Sequence, residues 1–172
     1  MEDYLVDSGL SWTIVRIAQF MQFYLPGTVT GVSLERNALI LPIQDGKLSP
    51  VDVEDVAKIC VGLLTDSGHE GRIYEVSGPD AMNMEEACEI ISRVTGRKID
   101  FINISLEEYN NILISMGVPD FFIRVLMELN RERKKCIESH IWLDTHTRLG
   151  VRPTNFAEFI YKNRKAFDYD NN

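Results

Sequence analysis

His140, Asp144 and His146 form the one polar set in this chain with the spacing of metal ligands. On an extended strand these positions share a face, so two imidazoles and a carboxylate could converge on a divalent ion. The simpler reading is a polar connecting segment around Trp142, and no metal site is assigned. Tyr161 precedes Lys165 by four residues, a spacing at which a phenol and an ammonium can share proton transfer. That pair falls on the polar side of the last amphipathic segment and reads as a solvated helix face. His69 sits in a loop-type sequence, Asp66-Ser67-Gly68-His69-Glu70-Gly71, with no specific role assigned. The basic run from Arg131 through Lys135 reads as cations favoured at a helix end by the peptide dipoles.

The motif search is otherwise negative. No GxGxxG or GxxGxxG turn is present to cradle a dinucleotide pyrophosphate, and there is no GxxxxGK[ST], GxSxG, HExxH or CxxC. Apolar and aromatic residues cluster in Phe20-Met21-Gln22-Phe23-Tyr24 and again from Met116 to Phe122. Core packing is the default for both. A pocket for a small apolar or mixed-polarity molecule, with Gln19 or Gln22 as its polar group, is the functional alternative. If catalysis occurs without a cofactor, Gln19, Tyr24, Asp52 and the His140–Asp144–His146 set are the residues to test first.

These residues need elements to hold them, and the pattern supplies alternating strands and amphipathic helices, an α/β arrangement. Gly9 closes a short helix over residues 2–8, and Trp12–Ile17 is a β-branched run suited to a buried parallel strand. Residues 39–43 and 73–76 are strand-like, and 99–104 alternates in strand fashion. Asp52 caps a helix from Val53 to about Leu64, with Asp55 placed as in a capping box and Val56, Ile59, Cys60, Leu63 and Leu64 inward. Asn83 with Glu86 and Ser105 with Glu108 open two further helices, the second closed by Gly117. A helix after Pro119 carries Phe121, Phe122, Val125, Leu126 and Leu129, and Thr154 is expected to cap the last one.

The chain has 172 residues and a formal charge of −8, which suits one domain and argues against nucleic acid as a partner. No apolar run approaches the roughly 20 residues of a membrane span. Cys60, Cys88 and Cys136 are odd in number and far apart, as expected of reduced thiols in the cytoplasm.

In order along the chain, Glu2-x-x-Leu5-x-x-Ser8-Gly9-Leu10-x-Trp12-Thr13-Ile14-x-Arg16-x-x-x-Phe20-Met21 resembles a segment of NmrA-like proteins, the atypical short-chain dehydrogenase/reductases. The likeness continues through Val51-x-Val53-x-Asp55-Val56-Ala57, Tyr74–Ala81, Thr95-Gly96-Arg97-Lys98-Ile99 and Gly117-Val118-Pro119. It ends with Leu149-Gly150-Val151-x-Pro153-Thr154-x-Phe156. The family pattern has proline where this chain has Ile17.

The resemblance implies a partial Rossmann-like sheet, its last strands only, followed by a mainly helical substrate-binding region. It implies residues 1–172 as a single domain like the C-terminal half of such a protein, with the glycine-rich NAD(P)-binding half absent. By motif position, Ile17, Gln19, Phe20, Met21 and Tyr24 would border the substrate pocket. NAD(P) is the family's cofactor, and none is expected on this chain alone. The implied function is the substrate-binding part of an NAD(P)-dependent reductase or redox sensor, completed by an N-terminal half or a second copy. The alternative is a stand-alone descendant acting without cofactor as a binding protein, cyclase or isomerase, a homodimer that covers the strand edge at Trp12–Ile17.

Overall fold

The computed structural model describes residues 2–43, 45–133 and 140–168. Helix α1 (Glu2–Val6) leads into strand β1 (Thr13–Ile17), and Gly9 between them takes φ +75°, the left-handed turn that ends the helix. A 3-10 turn (Met21–Tyr24), β2 (Ala38–Leu41), α2 (Val53–Thr65) and β3 (Arg72–Val76) follow. Then come α3 (Met84–Thr95), β4 (Asp100–Asn103), α4 (Leu106–Ser115), α5 (Asp120–Arg133), α6 (Asp144–Arg148) and α7 (Phe156–Lys162).

The strands form two small parallel sheets, β1 with β3 and β2 with β4. Parallel neighbours need a crossover, and α2 supplies one for the first sheet while α3 supplies one for the second. Capping follows the sequence: Asn83 with Glu86 and Ser105 with Glu108 make reciprocal capping boxes. At α2 the Asp52 carboxylate accepts from the Glu54 amide, but Asp55 does not return a bond. The last helix is capped by Asn155, one residue beyond Thr154, in a full box with Glu158.

Each sheet has its own core. Val51, Val56, Ile59, Leu63, Tyr74 and Val76 fill the space between α2 and the β1–β3 pair. A larger cluster, including Met21, Tyr24, Leu39, Leu41, Ile91, Leu113, Phe156 and Phe159, sits between β2–β4 and the helices α3, α4 and α7. Leu64, expected inward, is 85% exposed. The seam between the cores is backbone: Met21 N–H donates to Val51 C=O, Val51 N–H to Gln19 C=O and Gly78 N–H to Ser49 C=O. No described helix is long and apolar enough to cross a membrane.

The two edges of the first sheet differ. Beside β3, Ser77 N–H donates to Trp142 C=O, Trp142 N–H to Ser77 Oγ and Thr145 Oγ1 to Glu75 C=O, so residues 142–145 cover that edge. Beside β1, no described strand pairs with the second edge.

Candidate functional site

The carboxyl end of β1 delivers the chain into the segment singled out from the sequence. Ala18 N–H still reaches Val76 C=O, after which Phe20 bridges to Val51. This stitching turns Gln19, Phe20 and Met21 across the seam between the two cores. Ile17 is exposed, Gln19 and Phe20 are half-buried, and Met21 and Tyr24 are fully buried. Met21 and Tyr24 therefore stand behind the surface formed by the other three. Tyr24 packs edge-on against Phe156, with ring centroids 4.9 Å apart.

Two polar atoms here lack partners. Gln19 Oε1 and the Tyr24 hydroxyl are both shut off from solvent and make no hydrogen bond. Burial pushes the Tyr24 phenol up, which keeps it protonated at neutral pH. An unpaired buried donor or acceptor costs about 1–3 kcal/mol, so such atoms mark places where structure gives way to another demand.

Gln22 is used differently. Its Nε2 donates to Asp52 Oδ1 at 2.7 Å and its Oε1 accepts from the Val53 amide at 3.2 Å. Gln22 and Asp52 thus cap α2 together, and neither projects into an open cleft. Asp55 accepts from the Thr154 amide at 2.7 Å and from Lys58 Nζ at 3.0 Å. Desolvation raises its pKa, but the Thr154 and Lys58 hydrogen bonds outweigh that, and the carboxyl stays below its ordinary value.

The polar set of the C-terminal segment separates. Residues 144–148 are the helix α6, so the strand geometry that would align His140, Asp144 and His146 does not exist. His146 is 1% exposed, with Nε2 3.0 Å from Ser77 C=O and Nδ1 3.2 Å from Val151 C=O. Both ring nitrogens face backbone carbonyls, one of which accepts the N–H of the neutral ring, and His140 stacks on Trp142. No metal-holding group of His, Cys, Asp and Glu occurs among the described residues. Tyr161 is exposed beneath the Arg164 guanidinium, which lies 4.3 Å above its ring. Of the basic run only Arg131, Glu132 and Arg133 lie within the described residues, as does not Cys136.

A dinucleotide would need open backbone amides in a strand-to-helix turn. The turn after β3 holds a glycine, Gly78, but a Cβ there would lie 1.9 Å from Pro50 C=O. That glycine accommodates protein backbone, with no room left for a phosphate. At the start of α3 the Glu86 amide is taken by Asn83, and at the start of α2 the Glu54 and Val53 amides are taken by Asp52 and Gln22. The glycine turn after β3 therefore does not fit a pyrophosphate. Hollows of the surface include one of about 710 Å³ lined by Pro26, Val29, Leu34, Tyr109, Ile112 and Met116, one of about 750 Å³ beside Cys88, Ser92, Ile99 and Phe101, and one of about 430 Å³ beside Arg16, Ile73, Trp142 and Asp144; Ile17, Gln19, Phe20, Met21 and Tyr24 line none of these three.

The sequence profile of the NmrA-like family matches residues 1–160. The chain belongs to the NmrA-like family. An NAD(P)H azoreductase of Xenophilus azovorans is 32% identical over 162 residues, covering 94% of this chain and 56% of that protein. A (4-alkanoyl-5-oxo-2,5-dihydrofuran-3-yl)methyl phosphate reductase of Streptomyces griseus is 34% identical over 169 residues, 96% of this chain and 58% of that one. The NADPH-dependent quinone oxidoreductase of Escherichia coli, solved in complex with NADPH, superposes with a TM-score of 0.82 at 23% identity, over 94% of this chain and 56% of that one. The chain spans little more than half the length of these relatives, and the last likeness establishes the Rossmann-like α/β fold.

Proposed function

We propose that this NmrA-like chain is the substrate-binding portion of an NAD(P)-dependent reductase, and that it does not hold the dinucleotide by itself. The observation that carries the reading is the unpaired edge of β1. A two-stranded parallel sheet is marginal alone, and parallel sheets are normally continued and covered on both faces. Further parallel strands added at that edge would extend the β1–β3 pair into the sheet of a dinucleotide-binding half. The reductase and oxidoreductase names of the relatives support the same class of chemistry.

In this reading Ile17, Gln19 and Phe20 face the cleft between the two halves, and Met21 and Tyr24 hold its wall from the core side. The added half supplies the pyrophosphate cradle, and bound NAD(P)H supplies the hydride. Ile17 and Phe20 exclude water from an apolar, electron-accepting substrate, and Gln19 is the polar side chain beside them.

Calorimetric titration tests this directly. NADPH injected into the isolated chain is expected to show no saturable heat, and the same chain fused behind the N-terminal half of the azoreductase relative is expected to bind it. Micromolar affinity in the isolated chain, or a folded fusion that ignores NADPH, would overturn the reading.

A further inference from the structure

Of the six buried side-chain polar atoms that lack a hydrogen bond among the described residues, four gather in one place. They are the hydroxyls of Tyr24 and Tyr109 and both amide atoms of Asn130, from the 3-10 turn, α4 and α5. The three residues are at most 2% exposed. Burial pushes both phenols up, and the Arg133 guanidinium, one turn beyond Asn130, draws both part of the way back. The Asn130 amide acts on Tyr109 in the same sense, although no hydrogen bond joins them. These shared neighbours place the set beneath the last turns of α5. A small rotation that paired Asn130 with Tyr109 would still leave the Tyr24 hydroxyl and half of the amide without partners. Interiors hold few such atoms, and a group of four at one interface marks an arrangement in competition with another.

Of the three elements, α5 has the least to lose by moving. It fully buries one apolar side chain, Ile123, with Leu126 and Met127 half-buried, and it packs chiefly against α4. Its Arg131 and Glu128 pair with each other inside the helix. The 3-10 turn is stitched to Val51 and Val32 through its backbone, and α4 fully buries Tyr109 and Leu113. Between α4 and α5 the chain passes through Gly117, at φ +71°, and Pro119. A Cβ at Gly117 would meet nothing within 4 Å, so glycine serves conformation there and not space. We propose that α5 is a hinged lid, lifting about Gly117–Pro119 to bring Tyr24, Tyr109 and Asn130 into water while the rest of the larger core stays packed. Closed, the lid buries four unpaired polar atoms. Open, each finds water, and that gain offsets the exposure of Ile123, Leu126 and Met127. Because Tyr24 stands behind residues 17–20, lifting α5 uncovers that segment from its core side. The inference does not rest on the reductase reading.

Native-state hydrogen–deuterium exchange of the full chain, read by peptide mass spectrometry, is the test. Amides of α5 are expected to exchange on the order of a hundredfold faster than those of α3, through an opening smaller than global unfolding. Tyr109→Phe deletes an unpaired hydroxyl without adding volume, and Asn130→Leu replaces the amide by an apolar group of like shape. Each is expected to slow α5 exchange roughly tenfold and to raise the melting temperature, a direction few substitutions take. Tetranitromethane gives a second readout. Nitration of Tyr24 is expected to track α5 exchange and to slow by the same factor in Asn130→Leu. Exchange of α5 in step with α3, nitration of Tyr24 only as the whole chain unfolds, or failure of both variants to slow α5 would each overturn the proposal.

Discussion

Asp55 occupies the first turn of α2, where spacing alone makes it half of a capping box, yet its carboxylate reaches 99 residues along the chain to the Thr154 amide. Its side chain is 1% exposed and also holds Lys58. Asp55→Asn removes the charge from both bonds, and a loss of about 1–3 kcal/mol in urea-denaturation stability is expected. The pH dependence follows from the sign of the shift. A carboxyl whose folded pKa lies below its unfolded value of about 3.9 adds stability above that pH and loses it as pH falls through the folded value. Glu86, lowered by the Asn83 amide, acts in the same sense. Acid titration of the parent is therefore expected to show stability falling below about pH 4, with a shallower fall in Asp55→Asn. His146 is a second residue whose chemistry is already spent. With both nitrogens on backbone carbonyls it ties the end of β3 to the segment before α7, so added zinc is expected to leave the melting temperature unchanged, and His146→Ala to lower it.

At the scale of elements, what the sequence announces and what it hides divide along physical lines. The helices with local signals are where spacing places them: Asn83/Glu86 and Ser105/Glu108 close within one turn, and Gly96 and Gly117 take positive φ just past the helices. Signals that depend on distant partners mislead. Residues 140–146 look like one face of a strand, but α6 forms because Thr145 and His146 bind carbonyls at the end of β3. Motif order singles out Ile17, Gln19 and Phe20 as neighbours at the end of β1, whereas the diversion of Gln22 to cap α2 is visible only once Asp52 stands beside it. Arg97 stands in the family-like run Thr95–Ile99, but nothing in its spacing points to its partners. Its guanidinium donates to Asn37 Oδ1, Leu34 C=O and Phe167 C=O, joining the loop before β2 and a 3-10 turn after α7 (Arg164–Phe167) to the entry of β4. Arg97→Lys cannot reproduce that fork. A stability loss of about 2–4 kcal/mol in thermal or urea unfolding is expected, with little change in the Arg36→Lys control on the same loop.

The molecule is asymmetric about its β1–β3 sheet, closed by residues 142–145 on one side and unpaired by any described strand on the other. Amides of β1 that point away from β3 are expected to exchange with deuterium at near-unprotected rates in the isolated chain, and to slow by orders of magnitude in the fusion that restores cofactor binding. Equal protection in both would argue that the edge is already satisfied.

The seam of backbone hydrogen bonds through Gln19, Ser49, Val51 and Gly78 is doubled by side chains: Gln22 reaches Asp52, Asp55 the Thr154 amide and Lys162 of α7 the Glu54 carboxylate of α2. Neither core can therefore loosen without stripping partners from the other, and heating is expected to melt both in one transition, followed at the same midpoint by far-UV circular dichroism and by tryptophan fluorescence.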